Sequence, residues 1–233
     1  MKRLYKEVQV TEAAGGFGIA LDGRPIKTPG RIPVLLPTQD LAEAIAAEWR
    51  EQGTDVKPHT MPLMQLAGTV IDHFPANRAS VEAIVLRFAE TDTVCYRADP
   101  GQPAELIALQ RALWDPLLDW LRMQHGATLV TTSSILPVSQ PREALEILTR
   151  TVSAMDDWRL GALQSAIASS GSFVIGLALI DGRIDADDAF AAAELDAGFE
   201  IDRWGEDAAA TARRATVAFD LAAARRFRDL LGP

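Results

Sequence analysis

A chain of 233 residues with one cysteine, Cys95, can form no internal disulfide, which suits a reducing compartment. Histidine is almost as scarce. His59, His73 and His125 lie far apart in no HxxH or HExxH spacing, and with a lone thiol they offer no zinc ligand set, so no metal is expected. Long apolar runs are also missing. The longest conspicuous one, Phe173–Ile180, is far short of the roughly 20 residues a bilayer needs, so no membrane insertion is expected. Basic excess is missing too: the net charge is −9, against the positive footprint of a nucleic-acid partner. Neither the P-loop, the dinucleotide fingerprint nor the GxSxG elbow occurs. Gly15-Gly16-Phe17-Gly18 sits between two strand patterns with no helix start to hold an anion, and reads as a hairpin turn.

What is present is a hydrophobic content of 48%, enough for a chain of this length to bury roughly 70% of its unfolded surface. The charge is unevenly spread. From Asp181 to Asp207 stand ten Asp or Glu against Arg183 and Arg203, a net of −8. Asp181-Gly182 supplies a turn and Asp185 an acidic N-cap, so this stretch reads as a helix packed after an apolar one. Asp196, Glu200 and Trp204 recur every four residues and share one helix face. Like charges at that spacing cost a few tenths of a kcal/mol. A solvated acidic face and a partner-binding face both remain open. Arg213, Arg214, Arg225, Arg226 and Arg228 follow, and are expected to neutralise the acidic helix.

The opening MKRLYKEVQV has the alternation of a strand rather than of a targeting signal, which points to a cytosol, most simply a bacterial one. Leu4, Val8 and Val10 are expected on one strand face, Phe17–Leu21 forms a second strand, Asp22-Gly23 a hairpin turn, and Ile32–Leu36 a third strand. A helix follows from Thr38 to Gly53, and another opens at Pro62. Pro75-Ala76-Asn77 is expected to break that helix and mark a domain boundary, giving residues 1–76 and 77–233. Beyond it the periodicity is helical. Pro116 should kink or restart the segment Pro103–His125, and Thr128–Val138 is an extended connection. Ser139 is expected to cap the next helix, a buried one spans Trp158–Ile180, and a last one spans Ala208–Leu231. The fold class expected is α+β: a small N-terminal antiparallel β-plus-helix domain, then a larger all-α one.

Catalytic residues are not evident. Cys95, His73 and the Ser169–Ser172 cluster are the candidates for a small-molecule enzyme or binding protein with an interdomain pocket, but no base stands near a nucleophile in sequence. Close helix packing and a structural thiol account for them more simply.

Several blocks carry a resemblance. LDGRPIKTP (Leu21–Pro29), LAEAIAAEW (Leu41–Trp49) with Gln52, MPLMQLAGTVID (Met61–Asp72), ETDTVCYRA (Glu90–Ala98), Gln110, WDPLLDW (Trp114–Trp120), the GSFVIGLAL run and the closing RWGED follow one another in a family's order. End to end, the chain is similar to the assembly chaperones for the α subunit of the F-type ATP synthase. The resemblance implies a chaperone that is neither an ATPase nor another enzyme, takes no cofactor, and holds the unassembled α subunit until the catalytic sector forms. It also implies a small α/β domain with a helical one, and a mitochondrial matrix location for eukaryotic relatives. A monomer is expected. The family's pattern Leu-Asp-Glu-x-x-Gln followed by Trp-Gly meets Leu195, Asp196, Ala197, Glu200 and Trp204-Gly205 here, so partner-binding roles fall on Asp196, Glu200 and Trp204. A general holdase is a third reading.

Overall fold

The computed structural model describes residues 2–134, 136–205 and 207–232; Glu206 of the acidic stretch and the RWGED block lies outside them. Three antiparallel strands open the chain in the order β1 (Val8–Ala13), β2 (Gly16–Leu21), β3 (Arg24–Pro25). Val10 faces Ile19 and Leu21 faces Arg24 across the ladders. Asp22 and Gly23 both take positive φ (48° and 76°), the conformation that joins twisted strands through two residues. Two expectations fail here. The first strand begins only at Val8, and Leu4 is 88% exposed. Ile32–Leu36 is not a strand; Leu36 and Phe17 exchange backbone bonds of 2.8 and 2.9 Å, and Lys27 bridges Pro33. Pro33 and Pro37 lack the donors a continuous ladder requires.

Helix α1 (Gln39–Arg50) starts where Thr38 Oγ1 accepts from Leu41 N–H at 3.2 Å. The same hydroxyl donates to the Leu230 carbonyl at 2.6 Å. Near the end of α1, the buried Glu48 carboxylate accepts from Leu63 and Met64 N–H at 2.8 and 2.9 Å. It thereby closes the N-terminus of α2 (Pro62–Glu90), where Pro62 takes the first turn. Gln52 is buried as well. Its amide donates to the Glu48 carbonyl and accepts from Lys57 N–H, shaping the loop between the helices.

α2 runs unbroken through Pro75 for 29 residues, which corrects the break expected there. An interior proline costs about 3 kcal/mol. Phe74, Val81 and Val85 are buried on this helix, and that burial holds both sides of Pro75 in one rod. The buried apolar side chains of residues before and after it belong to one continuous cluster. α3 (Ala104–His125) likewise contains Pro116 without a restart, with Trp114, Leu117 and Leu121 buried.

α4 (Arg142–Ser153) begins after Pro141, not at Ser139. The long buried helix expected over Trp158–Ile180 is two: α5 (Asp157–Ser170) and α6 (Phe173–Ile180). Gly171 ends α5 in the left-handed region (φ 70°), and Ser172 caps α6. Every residue of α6 is buried. The acidic segment is also two helices, α7 (Ala186–Ala193), capped by Asp185 as expected, and α8 (Leu195–Trp204). α9 (Ala208–Asp229) closes the chain and packs on α5 and α7. The result is α+β, a small antiparallel sheet followed by a larger helical part. Among the described residues no helix is long and apolar enough to cross a membrane.

Candidate functional site

The break between α7 and α8 falls at Glu194, which no sequence signal singled out. Its side chain is 6% exposed and receives two bonds from Arg213, one at 2.8 Å, with Arg214 3.8 Å away. Among the described residues these two arginines meet the acidic segment at Glu194. Arg225 does something else: it donates to the Leu179 and Ile184 carbonyls and pairs with Asp229.

α3 fixes the other side of α7 and α8. The Trp114 indole N–H donates to the Ala192 carbonyl at 2.9 Å. Gln110, buried in the apolar stripe of α3, accepts from Ala98 N–H and donates to Asp196 Oδ1, both at 2.8 Å. Arg203, near the far end of α8, lies 4.4 Å over the Phe199 ring and pairs with Glu105 on α3 at 2.9 Å. α8 is thus pinned at both ends, and its remaining face looks into a groove of about 560 Å³.

Asp196, Glu200 and Trp204, expected together from their spacing, all line this groove with Phe199 and Arg203. The opposite wall comes from Tyr96–Asp99, Leu106 and Ser133–Ser134. Asp196, Glu200 and Trp204 are all exposed, but they are held differently. Glu200 is open to solvent, Trp204 is 84% exposed, and Asp196 is tied back to Gln110. An indole left uncovered beside two carboxylates and an arginine-capped phenyl ring can anchor an apolar surface while the acids select for basic neighbours.

Arg97 adds a feature that the sequence gave no reason to choose. Its side chain is 13% exposed, and its guanidinium donates to the Val94 and Gln110 carbonyls, pairs with Asp115 at 2.9 Å, and lies 5.2 Å over Trp114. It stiffens the wall facing α8. The signal available in the sequence was Gln110, a polar residue inside an apolar helical period.

Of the catalytic candidates, Cys95 and the serine cluster are engaged in the core. Cys95 is fully buried, and burial together with the nearby Asp92 charge pushes its thiol up to about 12, which leaves no thiolate. Ser172 donates to the buried Asp92 at 2.7 Å and caps α6, while Ser170 donates to the Ser172 carbonyl. This serine cluster is a helix-capping network. His73 is exposed on α2. Among the described residues no group of three His, Cys, Asp or Glu is placed to hold a metal ion.

A family model, that of the ATP12 chaperone protein, matches residues 2–122. The chain belongs to the ATP12 chaperone family. The crystal structure of Atp12 from Paracoccus denitrificans superposes with a TM-score of 0.93 at 36% identity, over 99% of this chain and 98% of that one. The Atu1473 protein of Agrobacterium tumefaciens gives the same score and identity, over 99% and 86%. Among curated proteins, the mitochondrial atp12 protein of Schizosaccharomyces pombe is 27% identical over 89% of this chain and 75% of its own. The mitochondrial ATP12 protein of Saccharomyces cerevisiae is 22% identical over 82% and 72%. Several blocks of the ATP12 resemblance prove architectural here. Glu48 closes α2, Gln52 shapes the loop before it, Asp72 accepts from Thr28 and Gly30, Asp92 caps α6, and Gln110 seats α8.

Proposed function

We propose that this protein is an ATP-independent chaperone that binds the unassembled α subunit of the F-type ATP synthase and promotes assembly of the catalytic sector. It acts as a monomer, catalyses no reaction, inserts into no membrane, binds no nucleic acid, and in a bacterial host works in the cytoplasm. The observation that carries this reading is the uncovered Trp204, which shares one groove with Asp196 and Glu200 in a member of the ATP12 chaperone family. Acidic groups at the rim steer a partner bearing basic groups, and a large exposed aromatic supplies the apolar contact. The absence of a P-loop from the sequence supports independence from ATP.

Co-expression of the chain with isolated α subunit tests the proposal. The α subunit should stay soluble and co-purify without added ATP, and Trp204→Ala should weaken its capture at least tenfold with an unchanged melting temperature. Failure to co-purify, or equal protection of unrelated aggregating proteins, overturns it.

A further inference from the structure

Glycine inside a helix lowers its stability relative to alanine, so the surroundings of a buried one are informative. Gly161 on α5 has an evident one, because a Cβ there would sit 2.4 Å from Val70 Cγ2. Gly176 on α6 has another, since its Cβ would meet Ile167 Cγ1 at 2.7 Å. Gly68 on α2 has no such constraint: its Cβ would find only Pro29 Cδ, at 4.0 Å. Gly68 is nonetheless buried, and it lies in the wall of a cavity of about 740 Å³.

This cavity opens between the loop after β3, the end of α1, the turn Pro58–Thr60 and the first turns of α2. Pro29, Trp49, Val56, Met61 and Met64 give it apolar walls. Several of its polar atoms are already engaged. Asp72 accepts from the Thr28 hydroxyl and from Gly30 N–H, and the Thr69 hydroxyl donates to the Gln65 carbonyl. The buried Trp49 indole N–H has no hydrogen-bond partner among the described residues. Two methionines give the walls the adaptability of a peptide-binding surface. At the rim stand Lys27 and His73, both exposed. No residue of this cavity belongs to the α8 groove.

We infer that this cavity is a second protein-binding site, which takes a bulky apolar side chain from a partner segment whose acidic neighbours face Lys27 and His73. Gly68 keeps the space that the side chain enters. The volume lies within the usual range for a formed binding pocket, about 300–1,000 Å³. The charge preference is opposite to that of the α8 groove, so one partner could be held by two segments of different character.

Two fluorescent N-acetylated hexapeptides test this by anisotropy on the full chain: Glu-Glu-Leu-Phe-Glu-Glu and Lys-Lys-Leu-Phe-Lys-Lys. The acidic peptide should bind at least tenfold more tightly than the basic one. Gly68→Leu should abolish that binding, and Gly68→Ala, which meets only an ordinary contact, should weaken it about threefold while raising the melting temperature. Met64→Glu, a change at the half-buried wall, should weaken it tenfold and so serves if Gly68→Leu misfolds. The inference falls if neither peptide binds, if the basic one is preferred, or if the Gly68 and Met64 variants bind normally. It also falls if Trp204→Ala removes the binding, which places the peptide in the α8 groove, or if indole alone saturates the site, which makes it a small-molecule pocket.

Discussion

Gln110 donates its side-chain amide to Asp196 across 2.8 Å, so one of the two acids on the α8 face is also a fastening of α8 to α3. Glu200, one turn later, has no such duty. Asp196→Lys should therefore cost about 1–3 kcal/mol, because Gln110 is buried and loses its acceptor. Glu200→Lys should stay within about 0.5 kcal/mol of the parent, as exposed substitutions do. Both should weaken capture of the α subunit. Thermal unfolding beside a pull-down separates the two effects, and equal melting temperatures for both variants would show that the Gln110 bond carries no weight.

Asp92 gives a pH signature. Burial pushes its carboxyl up to about 6, opposed by bonds from Ser172 and the N–H groups of Val174 and Val94. In the unfolded chain it titrates near 3.8. Below 3.8 both states hold the proton and the contribution to stability is fully present. Between about 3.8 and 6 the folded state keeps a proton that the unfolded state has released, so stability falls as pH rises. Above about 6 the contribution is gone. Asp92→Asn should remove this slope, leaving the parent's advantage over the variant to shrink from pH 4 to pH 6. Urea midpoints of both proteins across that range decide it; an advantage that grows instead reverses the assignment.

Glu194 and Arg213 make a pair with one buried end. Arg213→Ala leaves a carboxylate that is 6% exposed with Arg214 still 3.8 Å away, and should cost about 1–2 kcal/mol. The exposed pair Arg142–Glu146 is the contrast, and Arg142→Ala should change stability by less than about 0.5 kcal/mol. Chemical denaturation of the two variants gives the comparison directly. Equal losses would place Glu194 in solvent.

Gly161 and Gly68 predict opposite responses to the same substitution. Gly161→Ala drives a methyl into Val70 and should destabilise by about 1–3 kcal/mol. Gly68→Ala meets no crowding and should stabilise by about 0.5–1 kcal/mol. Melting temperatures should move by roughly 2–4 °C per kcal/mol in a chain of this size.

Sequence patterns revealed what is set locally. Thr38, Asp185 and Asp22-Gly23 act within a few residues, and each does in the structure what its chemistry implies. The grouping of Asp196, Glu200 and Trp204 was legible for the same reason, since helical spacing alone puts them on one face. Features decided by distant partners were not legible. Pro75 and Pro116 stay helical because Phe74 and Trp114 beside them are buried by other elements. The split at Glu194 depends on Arg213, 19 residues away, and the function of Glu48 on amides 15 and 16 residues later. Ile32–Leu36 kept the hydrophobicity of a strand, but its prolines removed the donors.

The Thr38 hydroxyl, which starts α1, rests on the carbonyl of Leu230, 192 residues later. A chain emerging from the ribosome can wind its first helix early, yet the carbonyl that this hydroxyl meets is made 192 residues later. The start of α1 is therefore joined to the end of α9. A nascent copy lacking Leu230 has an unfinished seam between α1 and α9.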